Sequence, residues 1–258
     1  DNQDPFENIR LDIMKDPWFD KIEIIDHNEI FRDHIKYLPV FNSLSIETLL
    51  FKINSLSENF IYFNDDFFLT RKTSASDFFL SGSPVIRGYK SKINSISAKY
   101  DVNKAKQSQT IGFVNPMINA SKYAFKNENF FIRLFHTPYS LRKSTLEIFS
   151  KQYPDIILEN LKYKLRDSNQ FNTASLAAML EFINHKNFPI QKPCNIYLKP
   201  SNRYLGYCRV KLLPYYLDKE IKFGCIQSFS SASNKCKSFL LNWLRQKLFN
   251  NDVHFEKI

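Results

Sequence analysis

The chain has 258 residues, 43% hydrophobic and 24% charged, a globular composition that excludes a disordered chain and allows one sizeable core, or a core with a smaller lobe. Its formal net charge of +10 suits nucleic acid, an anionic membrane surface or a phosphate-rich substrate. Lys and Arg are spread along the chain and no nucleic-acid reading motif occurs, which excludes nucleic acid as the expected partner and favours anionic small molecules or a membrane face. Cys194, Cys208, Cys225 and Cys236 form neither a CxxC pair nor a zinc-like spacing with His, so reduced thiols in a cytoplasmic setting are expected, with two disulfides as the alternative. There is no signal-peptide pattern and no apolar run near eighteen residues, so neither export nor a membrane span is expected.

In chain order, Asp1-Asn2-Gln3-Asp4-Pro5 opens without a cap, and Lys21 to Ile25 reads as a strand ending at Asp26-His27. His27 at that strand end is either a ligand or acid/base group, or a local cap. Leu38 to Phe68 is the richest stretch. Ile46, Leu49, Leu50 and Ile53 fall at i, i+3, i+4 and i+7, the spacing of one buried helical face, and Asn42, Ser43 or Ser45 offers a capping oxygen. Glu47 sits in the first turn, where a negative charge is favoured by the helix dipole whether or not it has a further role. Phe60 to Phe63 reads as a buried strand, and Asn64-Asp65-Asp66 stands at its end. These three residues either form a turn or present paired carboxylates to a hard divalent ion such as magnesium, which takes one or two protein carboxylates and completes its shell with water and phosphate oxygens.

From Tyr89 to Asn119 the sequence lacks clear periodicity and reads as a surface insertion or lid. His136-Thr137-Pro138-Tyr139 precedes a helix with Leu141, Thr145, Ile148 and Phe149 apolar, and Arg142 in its first turn opposes the dipole, which points to an external anion or an acidic partner. Lys164-Leu165-Arg166 follows, then a helix with Leu176, Leu180 and Ile183 on one face. Asn234 to Phe249 reads as a basic amphipathic helix suited to core packing or to a membrane surface.

The run Leu38-Pro39-x-Phe41-Asn42-Ser43, Ile46-Glu47, then Leu56-Ser57-x-x-Phe60-Ile61-Tyr62-x-Asn64-Asp65-Asp66 resembles the second conserved region of the Stealth family, which comprises bacterial capsular polysaccharide phosphotransferases and the catalytic part of the animal N-acetylglucosamine-1-phosphotransferase. The resemblance continues through Ser74-x-x-Asp77-Phe78-Phe79. His136-x-Pro138-Tyr139 and Lys164-x-Arg166 resemble the third region, and Lys222 to Gln227 resembles the fourth, with Gln227-Ser228 in place of an Asn-Asp pair. The family's first region has no counterpart in the sequence, and Asp1 to Pro5 is similar to the segment that follows it, so a trimmed chain is expected.

The resemblance implies an α/β fold with a nucleotide-sugar transferase-like sheet, Rossmann or GT-A in kind. Its strands would end at Asp26, Asn64 and Gln227, within a single catalytic domain over 1–258 that includes a helical lobe at 140–187. It implies a catalytic set of His136, Asp66, Glu47 and Arg166, substrate binding by Asn42, Ser43, Asn64, Arg142 and His27, and a magnesium or manganese ion on Asp65 and Asp66. The implied reaction moves a hexose-1-phosphate, N-acetylhexosamine-1-phosphate by expectation, from a UDP-sugar to a sugar hydroxyl of an oligosaccharide and releases UMP. Expected partners are the UDP-N-acetylhexosamine donor, the oligosaccharide acceptor, and peripheral contact with the inner membrane or capsule assembly machinery. The alternatives are a metal-dependent glycosyltransferase releasing UDP and a non-catalytic carbohydrate- or membrane-binding module.

Overall fold

Asn42 closes the helix that organises the central stretch. Its Oδ1 accepts the Leu44 N–H at 3.1 Å, capping α2 (Ser43–Thr48) and satisfying one of the donors a helix start leaves open. A 3-10 turn, Leu50–Lys52, continues it. The buried side chains are Leu44, Ser45, Glu47, Thr48, Leu49 and Phe51, whereas Ile46, Leu50 and Ile53 are only partly covered. The buried face is therefore rotated from the one the apolar spacing predicts, because it packs on polar groups of a neighbouring helix.

The structure, a computed structural model, describes residues 17, 19–93, 112, 114–125, 129–185, 189–192, 194–201 and 203–249. Asp1 to Pro5, Trp18 and the centre of the 89–119 segment lie outside them. The architecture is mixed α/β, as expected, built from small sheets. β1 (Asn59–Tyr62) pairs antiparallel with β7 (Tyr139–Arg142), placing Tyr62 opposite Tyr139 and Asn59 opposite Arg142. β2 (Phe67–Leu69) pairs antiparallel with β9 (Phe223–Ile226), which pairs in parallel with β8 (Asn195–Leu198). Phe67, Cys225 and Tyr197 thus stand side by side across this three-stranded sheet. Two short ladders complete the strands: β3 (Phe79–Leu80) with β4 (Ser83–Pro84), and β5 (Gly88–Lys92) with β6 (Phe130–Leu134).

The sheet β2-β9-β8 separates two apolar clusters because successive side chains alternate faces. Phe67 and Cys225 belong to the larger cluster, with Phe31, Leu49, Phe131, Phe171 and Met179. Ile196, Leu198 and Ile226 belong to the smaller one, against α7 (Leu205–Leu217) and α8 (Asn234–Phe249). Gly224 is required where the two meet: a Cβ there would lie 2.3 Å from the Phe68 ring. The larger core is closed by α3 (Val114–Ala124), α4 (Lys143–Gln152), α5 (Pro154–Leu161) and α6 (Thr173–Asn184). All four cysteines are free thiols, and no helix among the described residues is long and apolar enough to cross a membrane.

Three expectations are corrected. The strand predicted at Lys21–Ile25 does not form. Ile22 and Ile24 are exposed, and Asp26 instead caps α1 (His27–Ile30), its carboxylate accepting the Asn28 N–H at 2.7 Å. The predicted helix beginning at Leu141 starts at Lys143, since Tyr139–Arg142 is drawn into β7 by pairing with β1. The described ends of the supposed lid are regular elements: β5, largely exposed, occupies one, and α3 buries Met117 and Asn119 at the other. Small and polar buried positions such as Asn119 and Ser121 hid the period of α3.

A buried polar network fixes α2 to α5 and to the turn before α6. The fully buried Gln170 accepts from Asn42 Nδ2 at 2.7 Å and donates to Ser45 Oγ at 3.0 Å and to the Asn160 carbonyl at 2.8 Å. Asn160 Nδ2 donates to Thr48 Oγ1 at 2.7 Å. Such a network is strong only when complete. Gln170→Leu is therefore expected to cost about 2–4 kcal/mol in denaturant unfolding, through the buried groups it strands; a loss under about 0.5 kcal/mol, the range of an ordinary surface change, would contradict this.

Candidate active site

The turn Asn64-Asp65-Asp66 joins β1 to β2, with the Phe67 N–H bonded to the Asn64 carbonyl at 3.0 Å. These residues make the turn, and the turn stands at a strand end. The Asp66 backbone carbonyl accepts from Ile226 N–H at 3.0 Å, which pins it to the end of β9. Its Oδ2 accepts the Cys225 S–H at 3.4 Å, while Oδ1 is buried with no hydrogen-bond partner among the described residues. Asp65 is exposed beside it. Burial, reinforced by Asp66 and Asp65, pushes the Cys225 thiol far above its ordinary pKa, so Cys225 is a proton donor to the carboxylate and not a nucleophile.

His136 lies over the same row of strands. Its ring stacks on Tyr197 at 4.6 Å and 14° and meets the edge of Phe67 at 6.4 Å. Burial lowers its pKa, against the pull of Asp66 and with the help of Arg133, so the imidazole is neutral near pH 7. Tyr197 donates its hydroxyl to Gln227 Oε1 at 2.8 Å. Gln227 thus orients the ring under His136 and supplies no charge. Asp218 does not replace the carboxylate missing there: it ends α7, before β9 begins, and its Oδ1 accepts from Glu220 N–H at 2.8 Å.

Glu47 forms a second, more enclosed cluster. It is 6% exposed, accepts the Tyr62 hydroxyl at 3.1 Å on Oε1 and Asn172 Nδ2 at 3.4 Å on Oε2. Desolvation raises its pKa to about 7, opposed by Tyr62, Arg166 and Ser43. Arg166 is exposed and donates to Ser43 Oγ at 2.9 Å. Tyr62 and Tyr139 stack at 6.4 Å and 11°, and Phe67 meets Tyr139 edge-on at 5.7 Å. The buried Tyr139 hydroxyl feels Glu47, Cys225 and Asp66 after desolvation, all of which raise its pKa. Tyr139 is therefore the bridge between the two acidic clusters, a role its place in the His136-Thr137-Pro138-Tyr139 run did not reveal.

The remaining predicted residues stand elsewhere. Asn42 is buried and held by the Gln170 network. Arg142 stands at the far end of the β1–β7 ladder, 3.5 Å from a Glu58 oxygen and 3.6 Å from one of Glu181; its opposition to the helix dipole is answered by these two acids. His27 opens α1, with Asp26 as the cap, and no described contact joins it to either cluster. Among the described residues no group of three or more His, Cys, Asp or Glu could hold a metal ion, so a cation here would have two protein carboxylates, Asp65 and Asp66.

Between the Glu47 reference value and about 7 the folded chain binds more protons than the unfolded one, so stability falls as pH rises through that window. Glu47→Gln removes this effect while keeping an acceptor for Tyr62. Its stability relative to native is expected to rise from pH 5 to pH 8 by up to about 3 kcal/mol, read by denaturant unfolding at both pH values; a pH-independent difference would contradict the burial of a titrating carboxylate.

The model of the family described as Stealth protein CR2, conserved region 2, matches residues 13–85, the segment that carries Glu47, Tyr62, Asp65 and Asp66. The chain is 32% identical over 236 residues to the capsular polysaccharide phosphotransferase cps12A of Actinobacillus pleuropneumoniae, covering 86% of this chain and 60% of the relative. It is 36% identical over 194 residues to cps1A of the same organism, 70% of this chain and 50% of the relative. With the capsular polysaccharide phosphotransferase of Neisseria meningitidis serogroup B it shares 30% over 260 residues, 94% of this chain and 64% of the relative. The chain spans between half and two thirds of the length of these curated relatives.

Proposed function

The chain belongs to the Stealth family, and on that premise we propose that it carries the catalytic centre of a capsular polysaccharide phosphotransferase. In this reading it moves a hexose-1-phosphate, N-acetylhexosamine-1-phosphate in the first instance, from a UDP-sugar to a hydroxyl of a growing saccharide. The three-stranded sheet serves as the floor of a nucleotide-sugar transferase-like, GT-A-like site. One observation carries the proposal: a carboxylate, Asp66, fixed at strand ends with an enclosed, unbonded oxygen among the described residues, lies close enough to a neutral His136 to act on its charge.

The acceptor oxygen attacks the β-phosphorus of the donor. As the new P–O bond forms, the bond from that phosphorus to the bridging oxygen breaks, UMP leaves with the electron pair, and the acceptor proton passes to the His136 imidazole. Phosphoryl transfer asks the protein chiefly for positioning and charge neutralisation. Arg166, exposed and anchored on Ser43, is the cation for the diphosphate. Glu47 is a positioning residue, holding Tyr62 and attracting Arg166. Asp65 and Asp66 fit a magnesium or manganese ion with one or two protein carboxylates, and such an ion would neutralise charge on the non-bridging phosphate oxygens.

The experiment is nucleotide analysis with UDP-N-acetylhexosamine, magnesium and short saccharide acceptors. UMP as the released nucleotide, absent in Asp66→Ala, is the expected result. UDP would mean attack at the anomeric carbon, the reaction of a glycosyltransferase.

A further inference from the structure

On the far face of the three-stranded sheet, α7 and α8 show a pattern that neither the core nor the candidate site uses. Together they contain Arg209, Lys211, Lys235, Lys237, Arg245 and Lys247 and no Asp or Glu. Their inner faces are accounted for: Cys208, Leu212 and Tyr215 on one, and Cys236, Leu240 and Trp243 on the other, form the smaller core. The outer face of α7 is apolar. Val210, Leu213 and Leu217, at i, i+3 and i+7, are 62%, 53% and 84% exposed, and Tyr216 beside them accepts the Trp243 Nε1–H at 3.0 Å. An exposed apolar stripe of this size marks an interaction surface.

Two of the cations stand at the seam of the two helices, beside this stripe. The Arg209 guanidinium stands 5.9 Å from the Phe239 ring and the Lys247 ammonium 5.5 Å from the Tyr215 ring. The acids nearest in sequence, Asp218 and Glu220, lie in the turn beyond α7 beside Lys219, where Asp218 caps the Glu220 N–H. A soluble polyanion would match the cations and gain nothing from Val210, Leu213 and Leu217. A neutral protein face would match the aliphatic stripe and leave six cations unopposed. A bilayer surface rich in anionic lipid matches both: aliphatic side chains enter the boundary between headgroups and acyl chains, cations meet the headgroups, and an exposed Tyr such as Tyr216 favours the interface.

We propose that the face formed by α7 and α8 docks the protein peripherally on an anionic lipid bilayer. The surface is separate from the Asp66 and Glu47 clusters, so this holds whatever reaction they catalyse. The test is flotation of the full chain with vesicles of phosphatidylglycerol and phosphatidylcholine against phosphatidylcholine alone, at low and high salt. The native chain should float only with the anionic vesicles and be released by salt. Leu213→Asp/Leu217→Asp should weaken binding by about tenfold or more, and Arg209→Gln/Lys211→Gln by about fivefold per cation removed. Both pairs are exposed, so their melting curves should match the native curve. Three results would overturn the proposal: no flotation of the native chain with anionic vesicles, equal flotation of Leu213→Asp/Leu217→Asp, or a dimer in light scattering that Leu217→Asp dissociates while vesicle binding is absent.

Discussion

Asp66→Asn is expected to lower kcat/KM by about 10³-fold, the size of effect seen when one preorganised electrostatic group is removed from a site where charge develops. Asn keeps the volume and an acceptor for Cys225, so the melting temperature should stay near native. The backbone anchor from Ile226 to the Asp66 carbonyl is untouched by the change. A second, independent consequence follows at Cys225: its thiol is pushed up first by burial and then by the Asp66 charge, so in the variant its pKa should fall while burial still holds it above the ordinary value, measurable by the pH dependence of alkylation of the native fold. A kcat/KM within about tenfold of native would remove Asp66 from the chemistry. Loss of activity together with loss of folding would not occur on this account, because the carboxylate oxygen that changes makes no hydrogen bond among the described residues or accepts one that Asn can also accept.

His136→Gln is expected to reduce kcat by about 10²- to 10⁴-fold, the contribution of a positioned general base. The pH profile separates this role from packing. Burial holds the imidazole below its ordinary pKa, so it stays neutral, and able to accept a proton, to a lower pH than a free histidine. The acid limb of kcat/KM that belongs to His136 should therefore begin below pH 6.5 and vanish in His136→Gln, whereas any limb near 7, from Glu47, should persist there and vanish in Glu47→Gln. A structural histidine, acting only through its stack on Tyr197, would lower activity at all pH values alike and leave the limb in place. Tyr197→Phe gives the companion measurement: it releases Gln227 but keeps the ring, so it should cost far less than loss of His136.

The parts of the site legible in the sequence were those set by local chemistry. Asn42 as a cap, Asn64-Asp65-Asp66 at a strand end and the helix from Asn234 to Phe249 follow from short-range preferences, the strand before Gln227 from the family resemblance, and the structure has them in place. What was missed depends on partners distant in the chain. For Arg142 the sequence points to an external anion or an acidic partner; the partners are Glu58 and Glu181, and nothing local names them, because the β1–β7 ladder brings them together. The segment before Asp26 is periodic, but among the described residues no neighbouring strand pairs with it, and the chain turns into α1 instead. Tyr139 is the clearest case: its place between Glu47 and Asp66 arises from two pairings, Tyr139 with Tyr62 and Phe67 with Cys225, that join segments more than seventy residues apart in the first and over a hundred and fifty in the second. Glu47 is expected in the first turn of its helix, but α2 starts at Ser43 and Glu47 is its fifth residue, beyond that turn; its enclosure is not legible locally either, since the polar walls come from Tyr62 and Asn172.

The central claim is that the bond broken lies between the two phosphates of the donor and not at the sugar. A UDP-sugar labelled with 32P in its β-phosphate decides it directly, because nucleotide products can be altered afterwards by phosphatases while the label marks which fragment moved. With native protein, magnesium and a saccharide acceptor, the account predicts label in the saccharide product and unlabelled UMP, both abolished by Asp66→Asn. Label that stays with the nucleotide while the sugar moves would contradict it.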